Sequence, residues 1–294
     1  MSARLEDIRY SRYEGERRPA VQSIVSLARW SALSAMGARK SWRAKFLPVT
    51  LTLIAFIPAV AVLAIRAIAG PRLQQNLPNQ GLDGLIPYRG YLTEVGIVVL
   101  LFAGIHTPEL LCPDRRDNVL SLYLSTAVTR MSYVLGKVLA ALVPLLCLTL
   151  LPVLLLFLGN TIFATDALTY LGDHWRDLPR LTAAGVLLAL YYSLFGLAVA
   201  SLTSRRAFAL GAFAALLLIS TAVSGALTFG LELGDHWQLF GLIRDPLFAV
   251  RGLYPDASGL GDHQLPVWQY WAASGVVMVL SAAILVRRYS REQP

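Results

Sequence analysis

The chain has 294 residues, of which 56% are hydrophobic and only 15% are charged. About a quarter of the residues of a soluble domain are usually charged, so this composition excludes an ordinary soluble protein and predicts a membrane protein. The formal net charge of +8 would suit nucleic acid in a soluble protein. In a membrane protein the position of the positive charges matters more, and we expect no nucleic-acid partner.

The first part of the chain is predicted to lie on the membrane surface. Apolar residues recur with helical spacing over residues 20–45. Basic and Trp residues are interleaved among them, namely Arg29, Trp30, Arg39, Lys40, Trp42 and Arg43. This pattern is typical of a helix that lies among lipid headgroups, so residues 1–45 are predicted to be a cytoplasmic segment with an interfacial helix. An ordinary soluble amphipathic helix is the alternative.

Six apolar runs follow, and each is long enough to cross a bilayer, which takes about 20 residues of helix. They are residues 46–68, 91–112, 131–159, 181–203, 208–229 and 267–286. The sequence therefore predicts an all-α membrane protein whose six transmembrane helices occupy residues 46–294. Residues 230–266 are too long and too apolar for a plain loop, and we expect short helices there that form an outer cap or dip into the edge of the membrane.

The basic residues predict the orientation of these spans. Of the 26 Lys and Arg residues, 19 fall on the side that holds the N-terminus and seven on the other side. Cytoplasmic loops carry the excess of basic residues, so both termini and the loop after the second span are expected in the cytoplasm. The low Lys and high Arg and Ala content is typical of a bacterium with GC-rich DNA. We therefore predict a multi-pass protein of the bacterial cytoplasmic (inner) membrane.

Catalysis has little support in the sequence. The chain contains no GxxxxGK[ST], HExxH or GxSxG motif. Charges in the middle of a bilayer cost about 2.5–3.5 kcal/mol on insertion scales, so those near the runs need a reason. Arg66, Glu94, Glu109 and Lys137 lie near run ends, and we expect them to reach the interface. His106 and Glu109 are one helical turn apart, which predicts a hydrogen-bonded pair, with a proton relay as the alternative.

Two further patterns are candidates for a site. The fifth span carries hydroxyl side chains with helical spacing, which suits either a water-accessible translocation path or close helix packing: Ser220, Thr221, Ser224 and Thr228. Three Gly-Asp-His triplets are predicted outside, and their His174, His236 and His263 are the candidate ligands of a metal ion. Asp after Gly more often opens a turn or caps a helix, so we expect no metal there.

The loop at residues 113–130 carries a resemblance to a known family. It opens with Pro113-Asp114-Arg115-Arg116, where we expect a turn because Pro113 cannot continue a helix, and a short amphipathic helix follows at residues 118–125. The segments that carry the resemblance are Pro108-Glu109-Leu110, Leu120-Ser121-Leu122-Tyr123-Leu124, Ala127-Val128-Thr129-Arg130, Tyr133-Val134-Leu135-Gly136-Lys137, Leu194-Phe195-Gly196-Leu197 and residues 201–207. Together with six spans and an interfacial helix, they resemble ABC-2 type permeases, the membrane subunits of ATP-binding-cassette exporters. Ala127 stands where that family commonly has proline.

The resemblance implies a function and its partners. Two copies of a separate ABC ATPase subunit would bind ATP and Mg and grip the cytoplasmic face of the permease. The ATPase-coupling residues would be Asp114, Arg115, Arg116, Leu120, Leu122, Tyr123, Leu124 and Arg130. A second permease copy, identical or a close paralogue, would complete the exporter, with the second and fifth spans lining the path. The chain itself would be no enzyme and would carry no cofactor. A proton-coupled secondary transporter or an intramembrane enzyme, using Glu94, His106 and Glu109, is the alternative.

Overall fold

The computed structural model describes residues 19–38, 42–76, 88–119, 122–123, 129–164, 166–253 and 265–291. Every regular element in these ranges is helical. In chain order the helices are α1 (Ala20–Ala35), α2 (Trp42–Asn76), α3 (Tyr88–Arg116), α4 (Arg130–Phe163), α5 (Ala167–His174), α6 (Asp177–Ala200), α7 (Arg206–Gly225), a π-helical turn (Ala226–Gly230), a 3-10 helix (Asp235–Phe240), α8 (Arg244–Arg251) and α9 (Val267–Arg291).

The six predicted spans are confirmed as helices that are long and apolar enough to cross a membrane. They are the segments Lys45–Ile68, Val95–Arg116, Arg130–Phe163, Asp177–Ala200, Arg206–Gly230 and Val267–Ser290. Several helices extend beyond the apolar runs, because polar residues at a helix end can reach the headgroup region without breaking backbone hydrogen bonds.

The N-terminal helix is shorter than the sequence predicted. It ends at Ala35, and α2 already begins at Trp42. Gly37 has φ of 82°, the Ala38 N–H donates to the Leu33 carbonyl and the Gly37 N–H donates to the Ser34 carbonyl. This is the Schellman arrangement that ends a helix at a glycine. Trp42 therefore lies at the start of α2, before the first span, instead of in the N-terminal helix.

The turn predicted at Pro113 is also wrong, because α3 continues through both Pro108 and Pro113 to Arg116. Proline removes one backbone hydrogen bond and disfavours a helix interior. Here the last turn is held from outside the helix, since Asp114 is bound by Lys137 and Arg115 donates to the Ser201 carbonyl. These contacts outweigh the local preference of proline.

The spans form a bundle with α6 at its centre. In the most apolar 18-residue stretch of α6, 78% of the residues are buried. In the corresponding stretches of α2, α7 and α9, only 22% are buried. We call the two ends of the bundle after their buried carboxylates. The Asp114 end holds α1, the end of α3 and the start of α4. The Asp245 end holds α5, the 3-10 helix and α8.

The short helices that we expected between the last two spans are present at the Asp245 end. The 3-10 helix and α8 pack against α3, α6, α7 and α9 instead of lying over the surface. Gly96 of α3 allows the close approach, because a Cβ there would lie 2.8 Å from a methyl carbon of Leu247. The Tyr270 ring of α9 stacks on Phe248 with centroids 5.2 Å apart.

Candidate coupling site

A buried ion pair lies at the Asp114 end, between the last turn of α3 and the second turn of α4. The Lys137 ammonium is 2.7 Å from Asp114 Oδ2 and also donates to the Leu110 carbonyl at 2.9 Å. The Tyr133 hydroxyl, one helical turn before Lys137, donates to the same carboxylate oxygen at 2.8 Å. Because residues i and i+4 share one face of a helix, α4 presents both donors to Asp114.

This arrangement corrects the prediction that Lys137 reaches the membrane interface. Its residue exposure is only 4%, so the ammonium points into the protein. An unpaired buried charge is strongly unfavourable, whereas a paired and hydrogen-bonded one is tolerated. Asp114 and the Leu110 carbonyl supply those partners, and the lysine therefore has no need of the interface.

Aromatic rings enclose the ion pair. The Lys137 Nζ lies 5.5 Å from the centroid of Tyr133 and 6.0 Å from that of Tyr123. The Tyr133 ring in turn lies 5.4 Å from Tyr289 of α9. Burial, with the nearby Asp114 charge, raises the pKa of Tyr123 above its ordinary value. The ring cluster thus joins the loop after α3 to α3, α4 and α9.

A second set of polar contacts ties α3 to the turn between α6 and α7. Arg206 Nη1 lies 2.5 Å from Glu109 Oε1, and Arg115 donates to the Ser201 carbonyl. Cys112, buried between them, points its thiol at the Ala200 carbonyl, 3.9 Å away. The end of α3 is therefore fixed on two sides, by α4 and by the α6–α7 turn.

The predicted hydrogen bond between His106 and Glu109 is not formed. His106 Nε2 donates to the Ala140 carbonyl at 3.3 Å, and its ring stacks on Phe102 with centroids 5.2 Å apart. Glu109 is held by Arg206 instead. Glu94 belongs to α3, but its side chain lies outside the described part of the structure.

The remaining coupling residues lie further out. Arg116 pairs with Asp117 at 2.9 Å on the surface, and this contact holds the pKa of Asp117 below its ordinary value. Arg130 donates to the Ser290 carbonyl at 2.8 Å, which joins α4 to the end of α9. The Leu122 side chain is 67% exposed. Leu120 and Leu124 lie outside the described residues.

A polar cleft of about 660 Å³ opens beside the ion pair, between α1 and the loop after α3. Its wall includes four serines of α1 and the site residues already described: Ser23, Ser26, Ser31, Ser34, Glu109, Asp114, Tyr123, Lys137 and Arg206. Helix α1 packs closely on α4 because Gly136 has no side chain, and a Cβ there would lie 2.8 Å from a methyl carbon of Leu27. The cleft therefore has one rigid wall on the bundle and a second on α1.

Comparison with protein-family models finds no match. Comparison with curated proteins also finds none. The motifs quoted above and the geometry of the Asp114 end therefore carry the functional argument by themselves.

The residues predicted for the interfacial helix are only partly described. Arg29, Trp30 and Trp42 are exposed, the last of them on α2. Arg39 and Lys40 lie outside the described residues, and so does the side chain of Arg43. Arg29 and Trp30 are adjacent exposed residues of α1.

Two hydroxyl residues of the fifth span contact the segment of the same chain that contains the 3-10 helix and Leu242 just after it. Ser224 donates to the Gln238 carbonyl at 3.3 Å, and Ser220 accepts from the Leu242 N–H at 3.4 Å. Thr221 donates back to the Leu217 carbonyl of its own helix, at 2.9 Å. Thr228 is buried in the π-helical turn. Within one chain, these contacts favour the packing alternative over the path for Ser220 and Ser224.

The Gly-Asp-His triplets are not assembled into one site. His174 donates to the Tyr170 carbonyl at 3.0 Å and stacks on that ring, whereas His236 is exposed on the 3-10 helix. His263 lies outside the described residues, among which no group of three His, Cys, Asp or Glu residues could hold a metal ion. Gly234 has φ of 115°, so its triplet needs glycine for backbone conformation.

The partners of Asp114 were not predicted from the sequence. Tyr133 and Lys137 at spacing i, i+4 were a readable signal for two donors on one helical face. No sequence spacing pointed to the contact of Tyr289 with Tyr133 or to that of the Ser201 carbonyl with Arg115. These residues are far apart in the sequence and come together only in the folded chain.

Proposed function

We propose that the chain is the permease subunit of an ABC-2 type exporter in the inner membrane of a bacterium, and that a separate ATPase subunit drives it. The observation that carries the proposal is the Lys137–Asp114 ion pair, which lies beside the ring of Tyr123, the residue next to the exposed Leu122. Such a pair makes the loop, α3 and α4 move together. The sequence motifs of that loop resemble the coupling segment of ABC-2 permeases.

The loop has the two sides that a coupling element needs. Leu122 points out toward a partner, while the neighbouring Tyr123 packs on Tyr133 with centroids 5.6 Å apart. A partner that binds Leu122 would displace Tyr123, and with it the ring cluster around Lys137. An ATPase that binds one conformation of the permease more tightly than the other would be sufficient to drive such a change. This chain would then need no chemistry of its own.

The remaining partners follow from the surface of the bundle. Helix α1 exposes Arg29 and Trp30, which suit anionic headgroups and the membrane interface. The helices α2, α7 and α9 leave most of their apolar surface uncovered in a single chain. We assign this surface to lipid and to a second permease copy. Ser220, Thr221, Ser224 and Thr228 would line the path along α3 and α7 only after the 3-10 segment has moved away.

The proton relay has weaker support than the exporter. A relay through His106 and Glu109 needs contact between the two side chains, but Glu109 is bound by Arg206 and His106 donates to the Ala140 carbonyl.

The test is site-specific photo-cross-linking in the native host. A photoreactive amino acid replaces Leu122, and a matched control replaces Trp268, which is similarly exposed at 66% but lies at the Asp245 end. We expect the Leu122 adduct to contain a protein with a P-loop ATPase motif and the Trp268 adduct to lack it. An ATPase that cross-links equally at both positions, or at neither, would contradict the proposed function.

The same interface predicts a functional change. In vesicles that contain the permease and its ATPase, Leu122→Asp should lower transport about tenfold, the usual effect of losing one apolar anchor at an interface. The helices should be unchanged in circular dichroism, because the Leu122 side chain is mostly exposed and adds little to the core. Unaltered transport with the aspartate variant would remove this loop from the coupling mechanism.

A further inference from the structure

A second buried carboxylate lies at the Asp245 end, and its surroundings differ from those of Asp114. Asp245 is in the first turn of α8 and is 0% exposed. Neither of its carboxylate oxygens has a hydrogen-bond partner among the described residues. The buried hydroxyl of Tyr192, on the adjacent α6, has no such partner there either.

The neighbouring cation, Arg244, forms no hydrogen bond with Asp245 within the described part of the chain. The Arg244 guanidinium lies over aromatic rings, 5.1 Å from the centroid of Phe248 and 5.9 Å from that of Phe229. Its positive charge offsets only part of the effect that burial has on the pKa of Asp245. Asp245 thus has the burial of a core residue without the partners that a buried charge needs.

The other ionisable groups around α8 are few. Helix α6 contributes the phenols of Tyr191 and Tyr192, and α9 contributes that of Tyr270. The 3-10 helix carries Asp235, which accepts from Gln238 at 3.4 Å, and the exposed His236. On α8 itself, Arg251 lies over the Phe248 ring. On α3, Tyr91 donates to the Ala55 carbonyl, and the Glu94 side chain is outside the described part.

We propose that Asp245 is a proton-binding site that holds α8 in the bundle. At neutral pH the carboxyl keeps its proton while α8 is packed. When α8 moves out into water, the carboxyl O–H bond breaks and the proton passes to solvent. This inference is independent of the exporter proposal, since it needs only the packing of α8 and the burial of its carboxyl.

The physical basis is the free energy of a charge in an apolar environment. Burial raises the pKa of Asp245 to about 8. In water the carboxyl returns to its ordinary value of about 3.9, so an exposed α8 releases the proton at neutral pH. The equilibrium constant for moving α8 out should therefore rise about tenfold per pH unit between roughly pH 5 and 7. Above about pH 8 both states are ionised, and the dependence should end.

A buried cysteine on α8 can report this movement. Ala249, one turn after Asp245, is fully buried, and Ala249→Cys would react with a water-soluble maleimide only when α8 is out. Cys112 and Cys147 are first replaced by serine in the full chain, in detergent or vesicles permeable to the reagent. Labelling rates are measured from pH 5.5 to 9, with and without Asp245→Asn. The ratio between the two removes the pH dependence of the thiol itself.

A matched control excludes general unfolding. Ala189→Cys lies on the central α6 and is equally buried, and it should stay unlabelled at every pH. We expect the ratio of labelling rates to rise at least about tenfold from pH 5.5 to 7.5 and to level off above pH 8. A flat ratio would overturn the proposal, and so would labelling of the Ala189→Cys variant in parallel with the Ala249→Cys variant.

Hydrogen–deuterium exchange of the wild type tests the same movement without a substitution. The amides of residues 247–251 should lose protection with rising pH, beyond the increase in their intrinsic exchange rate, while the amides of α6 stay protected. This measurement also decides the matter if the asparagine variant fails to fold. Protection in α8 that follows only the intrinsic rate would contradict the proton-binding site.

Discussion

The two ends of the bundle each contain a carboxylate that is largely shielded from water, but the surroundings of the two carboxylates are opposite. Asp114 accepts hydrogen bonds from Lys137 and Tyr133, and its negative charge is neutralised by the ammonium. Asp245 has no hydrogen-bond partner within the described part of the chain, and its adjacent arginine lies on aromatic rings. The first carboxylate is therefore paired with a cation, whereas the second is more stable in the fold as a neutral acid up to about pH 8.

The difference suggests which end is rigid and which end can open. If α3 and α4 separated, Asp114 and Lys137 would lose each other as partners and leave uncompensated charges, which is unfavourable. We therefore expect the Asp114 end to resist local movement. At the other end, packing requires the carboxyl to keep a proton that water would otherwise take, and this requirement becomes more unfavourable as the pH rises. The proposed exporter would need both properties, a rigid end that binds the ATPase and an opposite end that can open.

Removing the cation that pairs with Asp114 should have the largest effect and tests this difference most directly. Lys137→Met keeps the length of the side chain but leaves the carboxylate buried without its cation. We expect the free energy of unfolding in detergent, measured by denaturant titration, to fall by about 3–5 kcal/mol. The physical reason is the uncompensated charge, since methionine itself suits the surrounding rings.

A double variant separates charge from packing. Lys137→Met combined with Asp114→Asn removes both charges and keeps an acceptor for the Tyr133 hydroxyl. It should recover at least about half of the loss, as expected for two residues in direct contact. If the losses of unfolding free energy in the two single variants simply add in the double variant, Lys137 acts through packing alone. Asp114 and Asp245 would then not differ in how their charge is compensated.

The next test relieves the unpaired carboxylate. Asp245→Asn should raise the free energy of unfolding at pH 8 by about 2–4 kcal/mol and change it much less at pH 5. In the wild type the folded carboxyl holds its proton up to about pH 8, whereas the unfolded one loses it near its ordinary pKa. Wild-type stability from this group is therefore complete below about pH 4 and is lost as the pH rises to about 8.

The control for this test is an exposed acid of the same end. Asp173→Asn, on α5, should change stability little at either pH, because Asp173 is exposed to solvent. If Asp245→Asn instead lowers stability equally at both pH values, the carboxyl has an essential partner, and the contrast between the two ends fails.

The spans could be predicted from the sequence because a bilayer requires one simple property, an apolar helix of sufficient length. Helix ends depend on finer signals. Gly37 was a readable stop for α1, but the apolar periodicity that continues beyond it obscured that signal. Pro113 gave a local stop that is overruled, because Asp114 and Arg115 make contacts with distant parts of the chain.

The polar sites were harder to predict, because the environment of each polar side chain depends on partners that are far away in the sequence. Lys137 at the start of a span is compatible with reaching the interface or with turning inward, and only the position of Asp114 decides between them. Asp245 looks like the polar start of a short helix. Its isolation becomes visible only when α6 and α9 are packed around it.

The smallest expected effect belongs to the ion pair between Arg206 and Glu109. It has the same charges as the pair at Asp114, but its side chains are 41% and 22% exposed, so water competes with both partners. Exposed pairs contribute about 0–1 kcal/mol, and we expect Arg206→Gln to lower the free energy of unfolding by less than about 1 kcal/mol. Salt at about 0.5 M should remove most of that difference, since it screens an exposed pair but hardly reaches the buried one. The same titration with Lys137→Met is the matched comparison, and its loss should persist in salt. A salt-insensitive loss of several kcal/mol for Arg206→Gln would mean that burial does not set the strength of the charges at this end, and that the α6–α7 turn is held as firmly as α4.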